Sequence, residues 1–343
     1  MDKMKLMRTE DAVGQVLCHD ITQIIKGVTK DAVFRKGHII TEEDIPVLLS
    51  VGKDHIYIWE NNENMLHEND AAKILYDMCA NKHMTPSEIK EGKIELIAEC
   101  DGLLKVDTER LNAVNALGEM MIACRHGNFP VKKGDKIAGT RIIPLVIEKE
   151  KMERAKKAAG EEPIFELIPF KKMKAAIVNT GNEVFYGRIK DTFTPVIIEK
   201  LKEYGAEVVG HVVSDDNHEH ITAAIQKFLD EGVDMVLCTG GMSVDPDDRT
   251  PLAIKNTGAE IVTYGAPVLP GAMFLLSYYG EKKRPVIGLP GCVMYAKRTI
   301  FDLVLPRIVA GEILKKADMD TLGEGGLCLN CPVCTFPNCG FGK

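Results

Sequence analysis

Residues 234–251 read DMVLCTGGMSVDPDDRTP, and this stretch decides the fold that the sequence predicts. Its apolar start predicts a short buried strand, which runs directly into the turn Gly240-Gly241. Two glycines after a strand let the backbone approach a ligand closely and present amide groups as an anion nest. Ser243 and Thr250 add hydroxyls, and Asp248 stands at a predicted helix start, where it would cap the helix or hold a cation. As a lone motif, the same pattern is also typical of a tight turn followed by an N-cap.

Strands and helices alternate on both sides of this stretch, from residue 171 onward. Buried strand patterns, separated by helical ones, occur at Lys174–Val178, Glu207–Val213, Asp234–Cys238, Glu260–Tyr264 and Arg284–Gly288, and the closing helix is predicted over Val293–Leu305. Such alternation predicts an α/β fold in which a mostly parallel sheet is covered by helices on both faces, in three layers. Ligands of such sheets bind beyond the carboxyl ends of the strands. The glycine-rich and acidic turns follow strands, so we expect them to share that edge.

Four short motifs stand in this order over about 140 residues, a far more specific signal than any one of them alone. They are Thr180-Gly181-Asn182-Glu183, Asp215-Asp216, Gly240-Gly241-Met242-Ser243 with Asp248 and Thr250-Pro251 downstream, and Leu289-Pro290-Gly291. In this register, residues 171–311 resemble the molybdopterin-binding domain of molybdopterin molybdenumtransferases and molybdopterin adenylyltransferases.

The resemblance implies a function in molybdenum cofactor biosynthesis, in which a transferase inserts molybdenum while an adenylylated molybdopterin is hydrolysed. Glu183, one of Asp215 or Asp216 (taken as Asp216), and Asp248 would be catalytic and would bind Mg²⁺, which prefers carboxylate and phosphate oxygens. The residues implied in binding molybdopterin or its adenylylated form are Thr180, Gly181, Gly240, Gly241, Ser243, Thr250, Pro290 and Gly291. Asp215 and Asp216 are equally typical of helix caps.

Two departures from the family keep other functions open. The transferases usually continue Leu-Pro-Gly with Asn-Pro, where this chain has Cys292-Val293. Cys292 either packs as a small apolar residue or faces the dithiolene and metal of the ligand. An early Asp-Asn-Ser-Ala-Met-Asp-Gly-Tyr-Ala-like segment, which completes the family's active site across a dimer, is absent from residues 1–170. The alternatives are a non-catalytic carrier or sensor of the cofactor, and a nucleotide pyrophosphatase of the competence-damage-inducible type.

The rest of the chain predicts three further regions. Residues 1–147 read as a mixed α+β region, with a strand at His55–Trp59 and a helix over Arg110–Arg125. The charged stretch 148–170 is typical of a solvated helical linker that ends at Gly160. The molybdopterin-binding α/β domain is predicted over 171–314, and a cysteine-rich tail over 315–343.

Four of the ten cysteines crowd into this tail, at Cys328, Cys331, Cys334 and Cys339. In a cytosolic chain, such crowding favours a metal over disulfides. The spacing C-x₂-C-x₂-C-x₄-C is close to the run that binds iron–sulfur clusters in bacterial ferredoxins, while structural zinc usually pairs two C-x₂-C knuckles. Both an iron–sulfur cluster and Zn²⁺ stay open, and so does an electron-transfer or metal-delivery role for the tail.

Composition bounds the class of protein. The 343 residues are 45% hydrophobic and 27% charged, which predicts a globular protein with a sizeable core. A net charge of −7 and the lack of a Lys/Arg stripe predict no nucleic-acid partner. Without an apolar run of 18 residues or a signal-peptide pattern, we expect no membrane contact and a cytoplasmic location. The expected partners are molybdopterin, molybdate and a molybdenum or tungsten enzyme, and the resemblance implies a homo-oligomer.

Overall fold

The computed structural model describes residues 4–25, 29–59, 64–243, 245–246 and 248–343. Its strands are β1 (Met4–Arg8), β2 (Ile21–Ile25), β3 (Thr29–Phe34), β4 (His55–Trp59), β5 (Met65–His67), β6 (Met84–Pro86), β7 (Ile94–Ala98), β8 (Gly102–Val106), β9 (Met120–Cys124), β10 (Phe129–Val131), β11 (Lys136–Ile142), β12 (Val146–Glu148), β13 (Phe165–Pro169), β14 (Lys174–Thr180), β15 (Glu207–Ser214), β16 (Met235–Thr239), β17 (Glu260–Tyr264), β18 (Leu275–Tyr279) and β19 (Arg284–Leu289). Its α-helices are α1 (Asp44–Ser50), α2 (Glu68–Cys79), α3 (Thr108–Asn115), α4 (Lys149–Ala159), α5 (Asn182–Phe185), α6 (Phe193–Lys202), α7 (His218–Asp230), α8 (Thr250–Asn256), α9 (Ile300–Ala310) and α10 (Lys316–Asp320).

The chain divides into two compact units. The first comprises Met1–Ile97, Asp107–Arg125 and Lys136–Glu166, and the second comprises Ala98–Val106, His126–Asp135 and Leu167–Lys343. In neither unit do the described residues form a helix that is long and apolar enough to cross a membrane.

A six-stranded sheet forms the centre of the second unit, in the order β15-β14-β16-β19-β18-β17. The first four strands are parallel, and β18 and β17 run antiparallel at the edge. The predicted α/β fold with a mostly parallel sheet is therefore confirmed. Strand β18 was not predicted, because its sequence, Leu-Leu-Ser-Tyr-Tyr, lies next to no helical pattern that would mark a strand–helix unit.

Helices cover both faces of this sheet, and strand β14 shows how. Ala175 and Ile177 pack into one core cluster with residues of α6 and α9. Ala176 and Val178 point the other way and pack with residues of α7 and α8. Successive residues of a strand face opposite sides, so a central parallel strand must be apolar on both. The predicted three layers are thus α6 and α9, the sheet, and α7 and α8.

Helix α9 begins later than the sequence predicted. Residues Gly291–Met294 form a short 3₁₀ turn, and the α-helix starts only at Ile300. Thr299 and Asp302 form a capping box there. The Asp302 side chain accepts a hydrogen bond from the backbone amide of Thr299, and the Thr299 side chain accepts one from a backbone amide of the first helical turn. The apolar pattern beyond Leu305 continues to Ala310, so the predicted span Val293–Leu305 was displaced toward the N-terminus.

The first unit is a mixed α+β structure of small antiparallel sheets, as the sequence predicted. Strand β4 spans the predicted His55–Trp59 and pairs with β1, and β6, β7, β11 and β9 form a four-stranded sheet. The predicted helix over Arg110–Arg125 was wrong in its second half: α3 ends at Asn115, and Met120–Cys124 is strand β9, paired with β11. Met120 and Ile122 are buried in alternation, as in a strand, whereas Leu117, Met121 and Cys124 continue a helical spacing along the sequence.

The charged stretch after residue 148 forms helix α4, which ends at Gly160 as predicted. Gly160 has a φ of +76°, a conformation that suits glycine at a helix end. One face of α4 is buried, however, through Met152, Ala155 and Ala159. The helix is therefore packed on one side rather than solvated all round.

Candidate active site at the carboxyl edge of the sheet

The four motif turns lie along one edge of the sheet of the second unit. In the parallel register, Asn179 of β14 stands beside Thr239 of β16, which stands beside Leu289 of β19, and Thr180 pairs with Ser214 of β15. The turns that follow these strands therefore start at the same level. We call this edge, with Thr180–Glu183, Asp215–Asp216, Gly240–Ser243 with Asp248, and Pro290–Gly291, the carboxyl-edge site.

The Gly240-Gly241 turn is packed tightly against the end of strand β14. The two glycines have φ values of +87° and +54°, in the left-handed region that side chains disfavour. A Cβ added at Gly240 would lie 2.0 Å from the carbonyl oxygen of Thr180, and one at Gly241 would lie 2.9 Å from Thr250 Oγ1. Only glycine fits either position.

The hydroxyls of Thr180 and Thr250 hold this turn in place. Their oxygens are 3.1 Å apart, and Thr250 Oγ1 also donates to the carbonyl oxygen of Gly240 at 2.8 Å. Both side chains are buried. The sequence predicted a ligand-binding role for both residues, and in this structure their hydroxyls bond within the protein.

Asp216 and Asp248 each organise a neighbouring loop. Asp216 Oδ2 accepts from the backbone amide of Asn182 at 2.9 Å, and Asp248 Oδ2 accepts from the amide of Ser243 at 2.9 Å. Neither caps the helix that follows it in the chain: Asn217 is the N-cap of α7, and α8 begins without a side-chain cap. Asp216 instead accepts from the first amide of α5, at Asn182.

Negative charge is concentrated around Asp216. Burial raises the pKa of its carboxyl, and the charges of Glu183, Asp248 and Asp215 raise it further, against the hydrogen bond from the Asn182 amide. Glu183 lies in the turn that follows β14, with its Oε2 3.0 Å from the position of a Cβ built on Gly181. Like charges held this close favour a bound cation or a bound proton.

A cleft of about 410 Å³ opens beside these carboxylates. It is lined by Asn182, Asp215, Asp216, Asn217, His218 and Arg249. The Arg249 guanidinium is fixed by a 2.8 Å bond from Nε to the carbonyl oxygen of Pro246. His218 Nδ1 is buried, and within the described part of the chain it has no hydrogen-bond partner. The cleft thus combines acidic oxygens with a cation and an unpaired ring nitrogen.

The Leu-Pro-Gly turn closes the far end of the site. Pro290 follows β19, and Gly291 starts the 3₁₀ turn in an exposed position. A Cβ added at Gly291 would lie 4.0 Å from its nearest neighbour, the Phe193 side chain, so a larger residue would fit here. Cys292 is half-buried, and burial raises the pKa of its thiol. A thiol of this kind stays protonated at neutral pH.

The four tail cysteines lie elsewhere in the second unit. Cys331 and Cys334 are exposed and Cys328 and Cys339 are partly buried, and all four line one cavity of about 330 Å³. Across the residues that the structure describes, no group of three or more His, Cys, Asp or Glu side chains could hold a metal ion as arranged. That finding covers both the cysteines and the carboxylates of the carboxyl-edge site.

Residues 176–310 match the family model described as "Probable molybdopterin binding domain". This part of the chain is a domain of that family. The resemblance predicted from the four motifs is thereby confirmed: residues 176–310 form a molybdenum cofactor biosynthesis-type domain. Residues 6–60 match a domain of unknown function (DUF8806).

Curated relatives match the same domain. A molybdopterin molybdenumtransferase of Synechococcus elongatus is 28% identical over 163 residues, which cover 45% of this chain and 38% of the relative. A CinA-like protein of Mycobacterium avium is 34% identical over 90 residues, 26% of this chain and 21% of the relative. The chain therefore spans well under two thirds of the length of either relative.

Among solved structures, the molybdopterin biosynthesis enzyme MoaB of Thermus thermophilus aligns with 23% identity and a TM-score of 0.34. The alignment covers 42% of this chain and 99% of that one. A TM-score of this size carries no weight for function.

Sequence reasoning missed four residues of the cleft: Asn182, Asn217, His218 and Arg249. The available signal was position, because each lies within two residues of a predicted site residue and shortly after a parallel strand.

Proposed function

We propose that the carboxyl-edge site binds molybdopterin through its phosphate and hydrolyses the phosphoanhydride of an adenylylated molybdopterin, in the course of molybdenum insertion. The observation that carries this proposal is the gathering of Glu183, Asp216 and Asp248 around the Gly240-Gly241 turn. Phosphate needs close backbone approach and amide donors, and phosphoanhydride cleavage needs carboxylates for a hard cation. The domain match over residues 176–310 supports the same ligand.

The ligand's phosphates would lie between the glycine turn and the cleft. Arg249 faces the cleft and supplies a planar, permanently charged partner for phosphate oxygens. Ser243, Gly181, Pro290 and Gly291 border the same edge and would contact the rest of the molecule. Thr180 and Thr250 would act by holding the turn, since their hydroxyls bond to each other and to Gly240.

Mg²⁺ would be held by oxygens of Glu183, Asp216 and Asp248, and when bound it would neutralise charge on the phosphate oxygens. Carboxylate oxygens suit this ion, but no three of these described side chains could hold a metal ion as arranged, so phosphate oxygens of the ligand would have to complete the site. Mg²⁺ usually takes one or two carboxylates together with phosphate oxygens and waters, so a complete cage of protein ligands is not required.

The hydrolysis itself consumes one water. Its oxygen bonds to phosphorus, the phosphoanhydride P–O bond breaks, and AMP and the molybdopterin phosphate separate. We propose that Asp216 accepts the proton that the water loses, at carboxylate oxygen Oδ1, while Oδ2 accepts from the Asn182 amide.

The test is release of AMP from adenylylated molybdopterin, with Mg²⁺ and molybdate present. We expect turnover by the full chain and a loss of about 100-fold or more in Asp216→Asn, the usual range for a general base. Glu207→Gln is the matched control: Glu207 is an exposed carboxylate at the start of β15, at the opposite end of the same sheet. It should turn over like the unchanged protein.

Two other outcomes would identify the alternatives. Binding of molybdopterin without AMP release, in the unchanged protein, would leave the carrier or sensor function. Thermal stabilisation by dinucleotides, with none by molybdopterin, would favour the nucleotide pyrophosphatase, for which the match to a CinA-like protein is the supporting observation. We also propose that the chain forms a homo-oligomer. Its proposed partners in the same function are molybdate and a molybdenum or tungsten enzyme.

A further inference from the structure

The cysteine-rich tail is anchored to the second unit at both of its ends. Leu327 bridges to Leu269, whose amide donates to the carbonyl oxygen of Gly326 at 2.8 Å. At the other end, the amide of Gly342 donates to the carbonyl oxygen of Gly325 at 2.9 Å, and Phe341 is only 4% exposed in the core. Residues 329–340 therefore form a loop whose two ends meet. We call it the cysteine loop.

Little within the cysteine loop holds its own shape. Between residues 329 and 340, all of them described, the one backbone–backbone hydrogen bond joins the amide of Asn338 to Thr335 at 2.7 Å. Two of its apolar side chains face solvent, with Leu329 79% and Val333 76% exposed, while Phe336 packs against the core of the second unit. A loop without ladder bonds or a core of its own needs another source of order, and in short cysteine-rich segments that source is usually a metal centre.

All four thiols face one cavity of about 330 Å³. Cys328 precedes the loop, and Cys331, Cys334 and Cys339 lie within it. No three of these described residues form a group that could hold a metal ion as arranged. A single zinc ion draws its four sulfurs to about 2.3 Å from one point, whereas a cluster takes one thiolate at each iron and spreads them around a larger body.

Two cations stand at the same cavity. Lys297 Nζ donates to the carbonyl oxygens of Cys331 at 3.1 Å and Pro332 at 2.7 Å, which fixes the first turn of the loop. The Arg298 guanidinium lies 5.0 Å from the ring centroid of Phe336, which also lines the cavity. Four thiolates around a metal centre leave it with net negative charge, which the Lys297 ammonium would offset. The Arg298 guanidinium is already paired with Glu203 and Asp302.

We propose that Cys328, Cys331, Cys334 and Cys339 hold an iron–sulfur cluster in the cavity beneath the cysteine loop. The spacing C-x₂-C-x₂-C-x₄-C agrees with this, since three thiols at two-residue intervals are the core of the bacterial ferredoxin run. This inference is independent of the pterin chemistry at the carboxyl-edge site.

The test reconstitutes the full chain anaerobically with ferrous iron and sulfide, removes unbound ions, and measures iron, acid-labile sulfide, zinc and the visible spectrum. We expect iron and sulfide in about equal amounts, at least about two of each per chain, and a broad visible absorption that bleaches on reduction. The double variant Cys331→Ser/Cys334→Ser should lose both signals. Because these two side chains are exposed, the variant should keep its far-ultraviolet circular dichroism and its affinity for molybdopterin.

Cys100→Ser is the matched control, a partly buried cysteine of the same unit outside the cavity, and it should retain the full cluster. A colourless, iron-free protein would overturn the proposal, as would zinc alone at one ion per chain. The proposal would also be overturned if the double variant contained as much iron and sulfide as the unchanged protein. None of these results bears on AMP release, so the two proposals fail separately.

Discussion

At the residue scale, the carboxyl-edge site depends on the absence of a Cβ atom at Gly240 and Gly241. The backbone of the Gly240-Gly241 turn reaches the carbonyl oxygen of Thr180 because no Cβ stands between them. The close approach lets the Thr180 and Thr250 hydroxyls bond across it. A turn built in this way is rigid before any ligand arrives, and rigid amide donors bind phosphate without a further ordering cost.

Gly240→Ala tests this packing. The new Cβ would overlap the Thr180 carbonyl oxygen, and the left-handed φ would be strained as well. The strain alone costs about 1–2 kcal/mol, and the overlap should add about 1–3 kcal/mol to the loss in unfolding free energy. Chemical denaturation measures the sum, and affinity for molybdopterin should fall in parallel.

Gly232→Ala separates the two contributions. Gly232 has nearly the same φ, +84°, but nothing lies within 4 Å of an added Cβ. It should lose only the part that is due to backbone strain. Equal losses in the two variants would show that the turn is not packed as described.

At the scale of the elements, helices α6 and α9 are joined by a buried ion pair. Lys200 Nζ donates to both carboxylate oxygens of Asp302 at 2.7 and 2.9 Å, and their side chains are 8% and 1% exposed. Asp302 also accepts from the amide of Thr299 in the capping box and pairs with Arg298. One carboxylate therefore starts a helix and ties it to its neighbour.

Asp302→Ala should lower the unfolding free energy by about 3–5 kcal/mol, because it leaves the Lys200 ammonium buried without its partner. Adding Lys200→Met to the same chain should restore part of that loss, since an apolar side chain needs no partner there. Asp320→Ala breaks an exposed pair with Lys316 and should change stability by less than about 0.5 kcal/mol. If Lys200→Met restored nothing, the buried ammonium would not be the source of the loss.

The sequence predicted those elements whose signals are local. Buried apolar runs followed by glycine gave β14, β16 and β19, and the parallel arrangement followed from their alternation with helices. The start of α9 was missed because Val293, Met294 and Tyr295 extend the apolar pattern toward the N-terminus, although the capping box begins only at Thr299. The end of α3 was missed because Leu117, Met121 and Cys124 continue the helical spacing beyond Asn115.

The candidate site, too, could be predicted from the sequence only in part. Motif order placed Glu183, Asp216, Gly240 and Asp248 at one edge, because parallel strands bring their carboxyl ends together. The pairing of Asp216 with the Asn182 amide, and the place of Arg249 in the cleft, depend on how the loops fold over one another. No spacing along the chain encodes that.

At the scale of the whole molecule, the second unit carries an ionic network that spans long sequence distances. Glu312 pairs with Lys105 and with Arg307, and Arg307 pairs with Asp318. Burial alone would raise the pKa of Glu312, but the hydrogen bonds from Lys105 and Arg307 outweigh it, so the pKa lies below its ordinary 4.5. The pKa of Asp318 is lowered as well, by a backbone amide and Arg307, in spite of its burial.

These lowered pKa values make the second unit sensitive to acid. A carboxylate whose pKa is lower when folded stabilises the folded state above its unfolded pKa, and that contribution is lost as the pH falls through the folded value. Glu312→Gln should therefore cost about 1–3 kcal/mol at neutral pH and progressively less as the pH falls below 4.5. Denaturation curves at neutral pH and at a pH below 4.5 measure the difference in unfolding free energy between Glu312→Gln and the unchanged protein.

Glu324→Gln, at an exposed position of the same unit, should match the unchanged protein at both pH values. A Glu312→Gln cost that stayed constant across the pH range would place the effect in packing rather than in ionisation.

The central claim is that one edge of one sheet takes a phosphorylated pterin, and hydrogen–deuterium exchange with and without molybdopterin tests it most directly. Bound ligand should slow exchange at the backbone amides of residues 180–183, 215–218, 240–250 and 290–293, while the first unit exchanges as before. Protection confined to the first unit, or the same exchange rates at these four loops with saturating ligand, would contradict the account.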